Sequence, residues 1–169
     1  MPRVGIALGS NLGDRLANLQ AARVALSEIA TPGVLLLEAS IYQTEPLQCP
    51  AGSPQFYNSV VEIAFDGTAA ALLELTQSIE KKLGRTSKPE RNAPRIIDVD
   101  LLYFGDDVIN TEDLVLPHPR ISERRFVLQP LAEIRPEWIL PGQTLSIAEQ
   151  LACLDTDEPP LILVEKPEI

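Results

Sequence analysis

Four strand-like runs and two apolar helical stretches follow one another in the order strand, helix, strand, strand, helix, strand. That order predicts an α+β domain of ferredoxin-like βαββαβ type. Two further observations support it. Both helical stretches carry an apolar row at helical spacing, and the fourth strand-like run is dense in Ile, Val, Leu and aromatics. The expected architecture is an antiparallel four-stranded sheet with two long helices on one face and C-terminal elements added. The opposite, more polar face is left for a site. The chain has 169 residues, enough for one domain with a sizeable core.

Val4 to Leu8 reads as the first strand. Gly9-Ser10-Asn11-Leu12-Gly13-Asp14 reads as a turn rich in helix-capping residues. It has neither a GxGxxG nor a P-loop pattern, so capping is its expected job. Leu16, Leu19, Ala22, Val24, Leu26 and Ile29 give the first helix, stopped by Thr31-Pro32-Gly33. Val34 to Tyr42 reads as the second strand. Residues 43–55 form a long loop with three prolines and a glycine, a type of segment often used as a functional lid. Phe56 to Phe65 is the third strand, and Thr68 to Gly84 the second helix, with Leu72, Leu75, Ile79 and Leu83 on its apolar row. Gln77 and Glu80 lie three apart on that helix, where a solvated pair is the bland interpretation.

A small hairpin is expected over Gly105 to Leu116, turning near Gly105-Asp106-Asp107. Ser122 is a candidate cap for a helix from Glu123 to Ile134, which Pro130 would break or kink. Trp138 reads as core packing, and Ser146 to Leu154 as a short last helix. The expected domain is 1–154, followed by an acidic, proline-containing tail over 155–169 in which Leu161 to Val164 could dock as an extra strand.

Composition excludes several classes. The net charge of −10 argues against nucleic acid as a partner. No apolar run reaches the ~20 residues of a membrane span, and Met1-Pro2-Arg3 leads straight into a strand with no signal peptide. Cys49 and Cys153 lie far apart; a disulfide stays open, but nothing points to an oxidising compartment, so the expected location is cytoplasmic. Of the 14 Lys and Arg, nine fall between Lys81 and Arg125. Such a local cationic patch on an acidic chain suits a small polyanion such as a nucleoside triphosphate.

The chemistry concentrates in RTSKPERNAPRIIDVDLLYF, Arg85 to Phe104. Its first half is a basic loop broken by Pro89 and Pro94. Its second half is a mostly buried strand containing Asp98 and Asp100. Residues two apart on a strand share a face, with Cα atoms roughly 6.5–7 Å apart at about 3.3 Å of rise per residue. Two such carboxylates can converge on one or two magnesium ions. The alternative is a pair of solvated residues on an open sheet face. Among the rest, Phe56 reads as plain core, and His118, the only histidine, sits in a proline-flanked LPHPR segment where a structural role is the commoner one.

RNAPRIIDVDLL, Arg91 to Leu102, resembles the signature of the 6-hydroxymethyl-7,8-dihydropterin pyrophosphokinases of folate biosynthesis. The segments ALGSNLGDR, YQTEPL, FYNSVVEI, QSIEKKLGR and LPHPRISERRFVLQPLAEI are similar to the same family and occur in its order. The resemblance covers about Arg3 to Pro141. It implies diphosphate transfer from ATP to the hydroxymethyl group of 6-hydroxymethyl-7,8-dihydropterin, with release of AMP. It implies that Asp98 and Asp100 hold two magnesium ions, with ATP as co-substrate. Arg85 and Arg95 would stabilise charge on the transferred phosphates. Lys88, His118 and Arg124 would fix the nucleotide, with Gln77 and Glu80 also near ATP and Glu80 in the adenosine region. Thr44, Leu47, Phe56, Asn58, Asp98 and Phe126 would bind pterin, sandwiched between the two Phe rings. Closure of the 43–55 and 85–94 loops would exclude water. The expected protein is a monomer with no nucleic-acid or membrane partner.

Three positions depart from the family pattern. Glu45 replaces the usual proline after Thr44. Asn92 stands where some relatives have Trp, and Ser87 where some have a second basic residue. Two rival readings are a ligand-binding regulatory module, which the fold also supports, and a metal-dependent nucleotidyl transferase or nuclease, which the acidic charge disfavours. AMP formed only when pterin is present separates them from a pyrophosphokinase.

Overall fold

A computed structural model describes residues 2–44, 55–84, 96–156 and 158–167. β1 (Arg3–Ser10) leads through the Asp14 cap into α1 (Arg15–Ile29), where Asp14 Oδ1 accepts from the Ala17 N–H at 3.1 Å. β2 (Leu37–Glu38), β3 (Ile41–Thr44) and β4 (Phe56–Ala64) follow. α2 (Ala69–Lys82) is capped by Thr68, whose Oγ1 accepts from the Ala71 N–H, and it stops at Gly84 with φ 109°. β5 (Asp98–Phe104), the hairpin β6 (Ile109–Asn110) and β7 (Val115–Leu116), α3 (Arg125–Ile134), α4 (Ile147–Cys153) and β8 (Ile162–Glu165) complete the chain.

The main sheet runs β5-β1-β4-β3-β8, antiparallel throughout, with β2 also paired to β4. Its first four strands are the expected βαββαβ core. Six strands replace the expected four for two reasons. The run from Val34 to Tyr42 is split, and the last segment adds β8 beside β3. The split has a side-chain cause. The Ala39 carbonyl accepts from Arg23 Nη2 at 2.7 Å and Ser59 Oγ at 3.1 Å, while Ser40 N–H donates to Glu133 Oε2 at 3.2 Å. Val34 and Leu35 stay outside any strand and are exposed.

Strand alternation sorts the sheet into two faces. Val4, Ile6 and Leu8 of β1 and Val99 and Leu101 of β5 pack with Leu19, Ala22 and Leu26 of α1 and Leu72 and Ile79 of α2. On the other face, Val60, Leu102 and Tyr103 pack with Val127, Leu128 and Leu131 of α3 and Ile147 of α4. Leu102 and Tyr103 are consecutive yet share this second core. The β1–β5 register shifts there, so that Gly5 opposes Tyr103 and Ile6 opposes Leu101. The C-terminal helices thus cover part of the face expected to stay polar, leaving the end that carries Asp98 and Asp100.

Three local expectations are corrected. Ser122 does not cap a helix beginning at Glu123. It lies within a 3-10 turn (Ile121–Glu123), and α3 begins after Arg124, whose extended backbone has no side-chain cap. Pro130 neither ends nor breaks α3, which spans it. A turn does form at Gly105, where Asp107 N–H donates to the Phe104 carbonyl at 3.0 Å, but it ends β5; the hairpin itself turns at Thr111–Leu114, where Thr111 N–H donates to the Leu114 carbonyl at 2.9 Å and Leu114 N–H donates back to Thr111 Oγ1 at 3.1 Å. Trp138 packs at the second core, its ring 6.0 Å from that of Tyr103, and Ser146 caps α4 through a capping box with Glu149. Cys153 is a free, exposed thiol; Cys49 lies outside the described residues. Among the described residues no helix is long and apolar enough to cross a membrane.

α3 is tied to the sheet by a buried carboxylate. Glu62 of β4 is 1% exposed and accepts from Arg3 Nε at 2.9 Å, Arg135 Nε and Nη2 at 2.6 and 2.9 Å, and Tyr103 Oη at 3.1 Å. Burial opposes its charge, but the hydrogen bonds and charges of Arg135 and Arg3 outweigh burial and hold its pKa below the ordinary 4.5. The unfolded chain therefore takes up this proton first as pH falls. The stabilisation is fully present above pH 4.5 and is lost as pH drops through the lower folded value. We expect Glu62→Gln to cost about 2–4 kcal/mol at neutral pH, the range for losing charged hydrogen bonds in a buried pair. Urea denaturation of both proteins from pH 7 to pH 3 checks it: the gap between them should shrink with acid.

Candidate active site

One end of the sheet gathers the predicted side chains. Along β5, Val99 points into the α1/α2 core, which puts Asp98 and Asp100 on the other face. The ladders align Asp98 of β5 with Gly9 of β1, Gly9 with Asn58 of β4, and Asn58 with Tyr42 of β3. Asp100 lies one step along, opposite Ala7. Directly opposed residues share a face, so a carboxylate, a glycine and an amide form one row across three strands. Phe56 lies two residues before Asn58 and therefore rises on the same side. Thr44, at the end of β3, donates from Oγ1 to Asn58 Oδ1 at 2.7 Å.

The wall of this end comes from the segment after β7. His118 N–H donates to the Leu102 carbonyl at 2.7 Å, fastening the segment to β5 beside the two aspartates. Its Nδ1 accepts from Arg120 N–H at 3.1 Å, so the neutral ring carries its proton on Nε2. Burial, then the charges of Arg124 and Arg120, lower the His118 pKa below its ordinary 6.5. Arg124 follows, with its guanidinium carbon 5.5 Å from the centre of the Phe126 ring. Burial and Arg120 lower its pKa, opposed by Asp100, Glu123 and Asp98, so Arg124 is a cation within electrostatic reach of both aspartates.

The predicted residues are thus partly brought together. Asp98, Asp100, Asn58, Thr44, Phe56, Phe126, His118 and Arg124 converge on this end and this face. Glu80 is placed differently from its neighbour Gln77. Glu80 is buried, and its Oε2 accepts from Val99 N–H at 3.0 Å at the outer edge of β5, between the aspartates in sequence. Gln77 is exposed on α2. Leu47, Arg85, Lys88 and Arg95 lie outside the described residues, as do Glu45, Ser87 and Asn92.

Gly9 was missed as a site residue. It reads as the start of a turn, but β1 continues to Ser10. Extending the alternation of Val4, Ile6 and Leu8 by one residue would have put it on the site face. A second residue missed is Arg15. Its Nη1 donates to the Gln55 carbonyl at 2.7 Å and its guanidinium carbon lies 4.1 Å from the centre of the Tyr57 ring, pinning the backbone on both sides of Phe56.

No third His, Cys, Asp or Glu joins the aspartates in a metal-binding group among the described residues. That donor set fits magnesium. This ion keeps several waters and is usually bound by one or two carboxylates plus substrate phosphates, without a full protein cage.

A 2-amino-4-hydroxy-6-hydroxymethyldihydropteridine pyrophosphokinase of Bacillus subtilis is 48% identical over 129 residues, 76% of this chain and 75% of that protein. The protein of the same name from Methylorubrum extorquens is 41% identical over 155 residues, covering 92% of this chain and 95% of the other. In three dimensions, the crystal structure of wild-type Plasmodium falciparum HPPK-DHPS superposes with a TM-score of 0.68 over 89% of this chain, at 15% identity. The chain spans 44% of that longer polypeptide, and the likeness establishes the shared fold. The family model of 7,8-dihydro-6-hydroxymethylpterin-pyrophosphokinase matches residues 5–136, a span containing both aspartates and every described site residue named above, and the chain belongs to that family.

Proposed function

We propose that the row Asp98–Gly9–Asn58 is where this pyrophosphokinase brings its two substrates together. The reaction moves a diphosphate from ATP to the hydroxymethyl oxygen of 6-hydroxymethyl-7,8-dihydropterin and releases AMP. A bond forms between that oxygen and the β-phosphorus, and the bond between the β-phosphorus and the bridging oxygen to the α-phosphate breaks. The nucleophile belongs to the substrate, so the protein's part is positioning and charge stabilisation. The observation that supports the site is the register itself, which sets a cation-binding carboxylate and a ring-recognising amide in one line across adjacent strands.

In this reading Asp98 and Asp100 hold two magnesium ions that arrive with ATP. When bound, magnesium neutralises charge on the triphosphate and makes the hydroxymethyl proton easier to lose. Arg124 and the neutral His118 line the nucleotide side, where Lys88 also binds. Arg85 and Arg95 take the charge that develops on the transferred phosphates, where a planar guanidinium can bond two oxygens at once. Glu80 secures the outer edge of β5 near the adenosine, with Gln77 exposed on the same helix. On the other side, Asn58, steadied by Thr44, meets the hydrogen-bonding edge of the pterin. Phe56 and Phe126 offer ring faces, and Leu47 is a further pterin contact in this reading. Residues 1–154 form the catalytic domain, and 155–169 are an appended segment that supplies β8. We place the reaction on a monomer in the cytoplasm.

Product analysis tests the reading. With ATP, magnesium and the dihydropterin, AMP should appear, and it should not appear when pterin is omitted. Asp98→Asn and Asp100→Asn should each slow it on the order of 10²–10³-fold, as expected for losing a group that stabilises transition-state charge. ATP binding without pterin-dependent AMP would sink the reading.

The single histidine offers a second check. Its ring-proton NMR titration should have a midpoint below 6.5 in the free protein, because burial and two arginines oppose protonation. A triphosphate beside it supplies negative charge, so magnesium-ATP should raise the midpoint while adenosine leaves it unchanged. An unmoved midpoint with saturating ATP would remove His118 from the nucleotide site.

A further inference from the structure

We propose that Gly9 is a positioning residue for pterin recognition. Its missing side chain is the space that lets Asn58, anchored by Thr44, turn its amide donor toward the ring edge. The inference rests on the pterin site described above.

Strands lie about 4.8 Å apart, so Asp98 and Asn58, each one strand from Gly9, stand about 9.6 Å from one another. A residue with a side chain between them would rise into that gap. Gly9 is buried, and a Cβ built on it would meet Asn58 Nδ2 at 3.0 Å and two carbons of the Phe56 ring at 3.6 and 3.9 Å. The ring contacts are ordinary van der Waals distances. The amide contact is too tight, so the amide would have to yield by a few tenths of an ångström.

It is held against yielding. Asn58 Oδ1 accepts the Thr44 hydroxyl at 2.7 Å, which fixes the amide orientation and leaves Nδ2 on the Gly9 side. Moving Nδ2 off a new methyl would lengthen or tilt that hydrogen bond. Two features therefore define one rotamer: a hydroxyl that grips the oxygen and a glycine that makes room for the nitrogen. The chemistry presented to the ligand is an N–H donor for an acceptor on the edge of a flat heteroaromatic ring.

Backbone strain does not enter. Gly9 is a strand residue outside the positive-φ glycines, so alanine is compatible with its backbone. Gly9→Ala consequently probes space alone, and the smaller entropy of its unfolded chain favours the folded state. This separates a positioning role from a structural one: ligand affinity should fall by far more than thermal stability, because the strain on one hydrogen bond is offset by the unfolded-state gain.

The test uses calorimetric titration with 6-hydroxymethyl-7,8-dihydropterin in the presence of a non-hydrolysable magnesium-ATP analogue, on the full chain. Gly9→Ala should raise the pterin Kd about tenfold or more, keep the analogue's own Kd within about twofold and leave Tm within about 5 °C of that of the parent. Asn58→Ala should also weaken pterin. The double variant should bind pterin no more weakly than Asn58→Ala alone, because the methyl then has no amide to displace. Gly9→Ala that binds pterin like the parent overturns the proposal. So does a double variant in which both losses add in full. Should Gly9→Ala fail to fold, Gly9→Ala with Asn58→Ala must fold; if it does not, the collision lies elsewhere and the proposal fails. A parent protein that binds the ATP analogue but not pterin would instead bring down the pterin-site reading itself.

Discussion

β1 is paired on both edges, to β4 from Arg3 to Ser10 and to β5 from Val4 to Gly9, and its register against both neighbours determines the site. Side chains alternate, so a slip of one residue would turn Asp98 and Asp100 into the apolar layer under α1 and α2. The apolar set prevents that slip. Val4, Ile6 and Leu8 are each no more than 1% exposed, and Val99 and Leu101 of β5 share their core. Burying those side chains, at about 1.5–3 kcal/mol for each large aliphatic, drives the sheet into one register. The polar row on the reverse face comes with it. The placement of the functional carboxylates is therefore a by-product of hydrophobic burial on the other side of the sheet.

The wall opposite the sheet is held from a distance. α3 presents Phe126 in its first turn, with Arg124 just before it, yet its polar anchors lie near its other end. Glu133 accepts from Ser40 N–H, Ser40 Oγ and Tyr42 Oη, and Arg135 joins the buried Glu62. A ten-residue helix is about 15 Å long, and its packed middle, through Val127, Leu128 and Leu131, makes it a rigid arm between anchors and site. At the opposite end of the site, Arg15 grips the Gln55 carbonyl and the Tyr57 ring, setting where β4 begins and so where Phe56 stands. Both aromatic residues of the proposed pterin pocket are thus located by charged groups elsewhere on their own or neighbouring elements.

What could be read in the sequence was whatever depends on nearest neighbours and period. The Asp98–Asp100 spacing, the run of capping residues that ends at Asp14, and the apolar rows of α1 and α2 are all local patterns. Features set by distant partners were not legible. The break between β2 and β3 is made by Arg23 of α1 and by Glu133, 93 residues beyond Ser40. Ser122 looks like a cap, but the 3-10 turn of Ile121–Glu123 places the helix start beyond it. Glu80 and Gln77 share a spacing that suggests a common face, and only the edge of β5, 19 residues from Glu80, draws one of them inward. Gly9 was hidden for a further reason: its significance is an absence of atoms, visible only once Asn58 and Phe56 stand over it.

The electrostatics of the site follow from its having two carboxylates and a nearby cation. Asp98 and Asp100 share a face, and like charges on one face repel one another. Arg124 lies within electrostatic reach of both, and its burial strengthens its field by keeping water from screening it. Its positive charge offsets part of the repulsion between the pair. A third carboxylate would bind a bare divalent ion more firmly, but it would also occupy coordination positions that substrate phosphates need. Two carboxylates leave those positions to the triphosphate and to water, as magnesium prefers. Arg124, beside the same two aspartates and against the Phe126 ring, stands where the nucleotide side of the proposed site meets the pterin side.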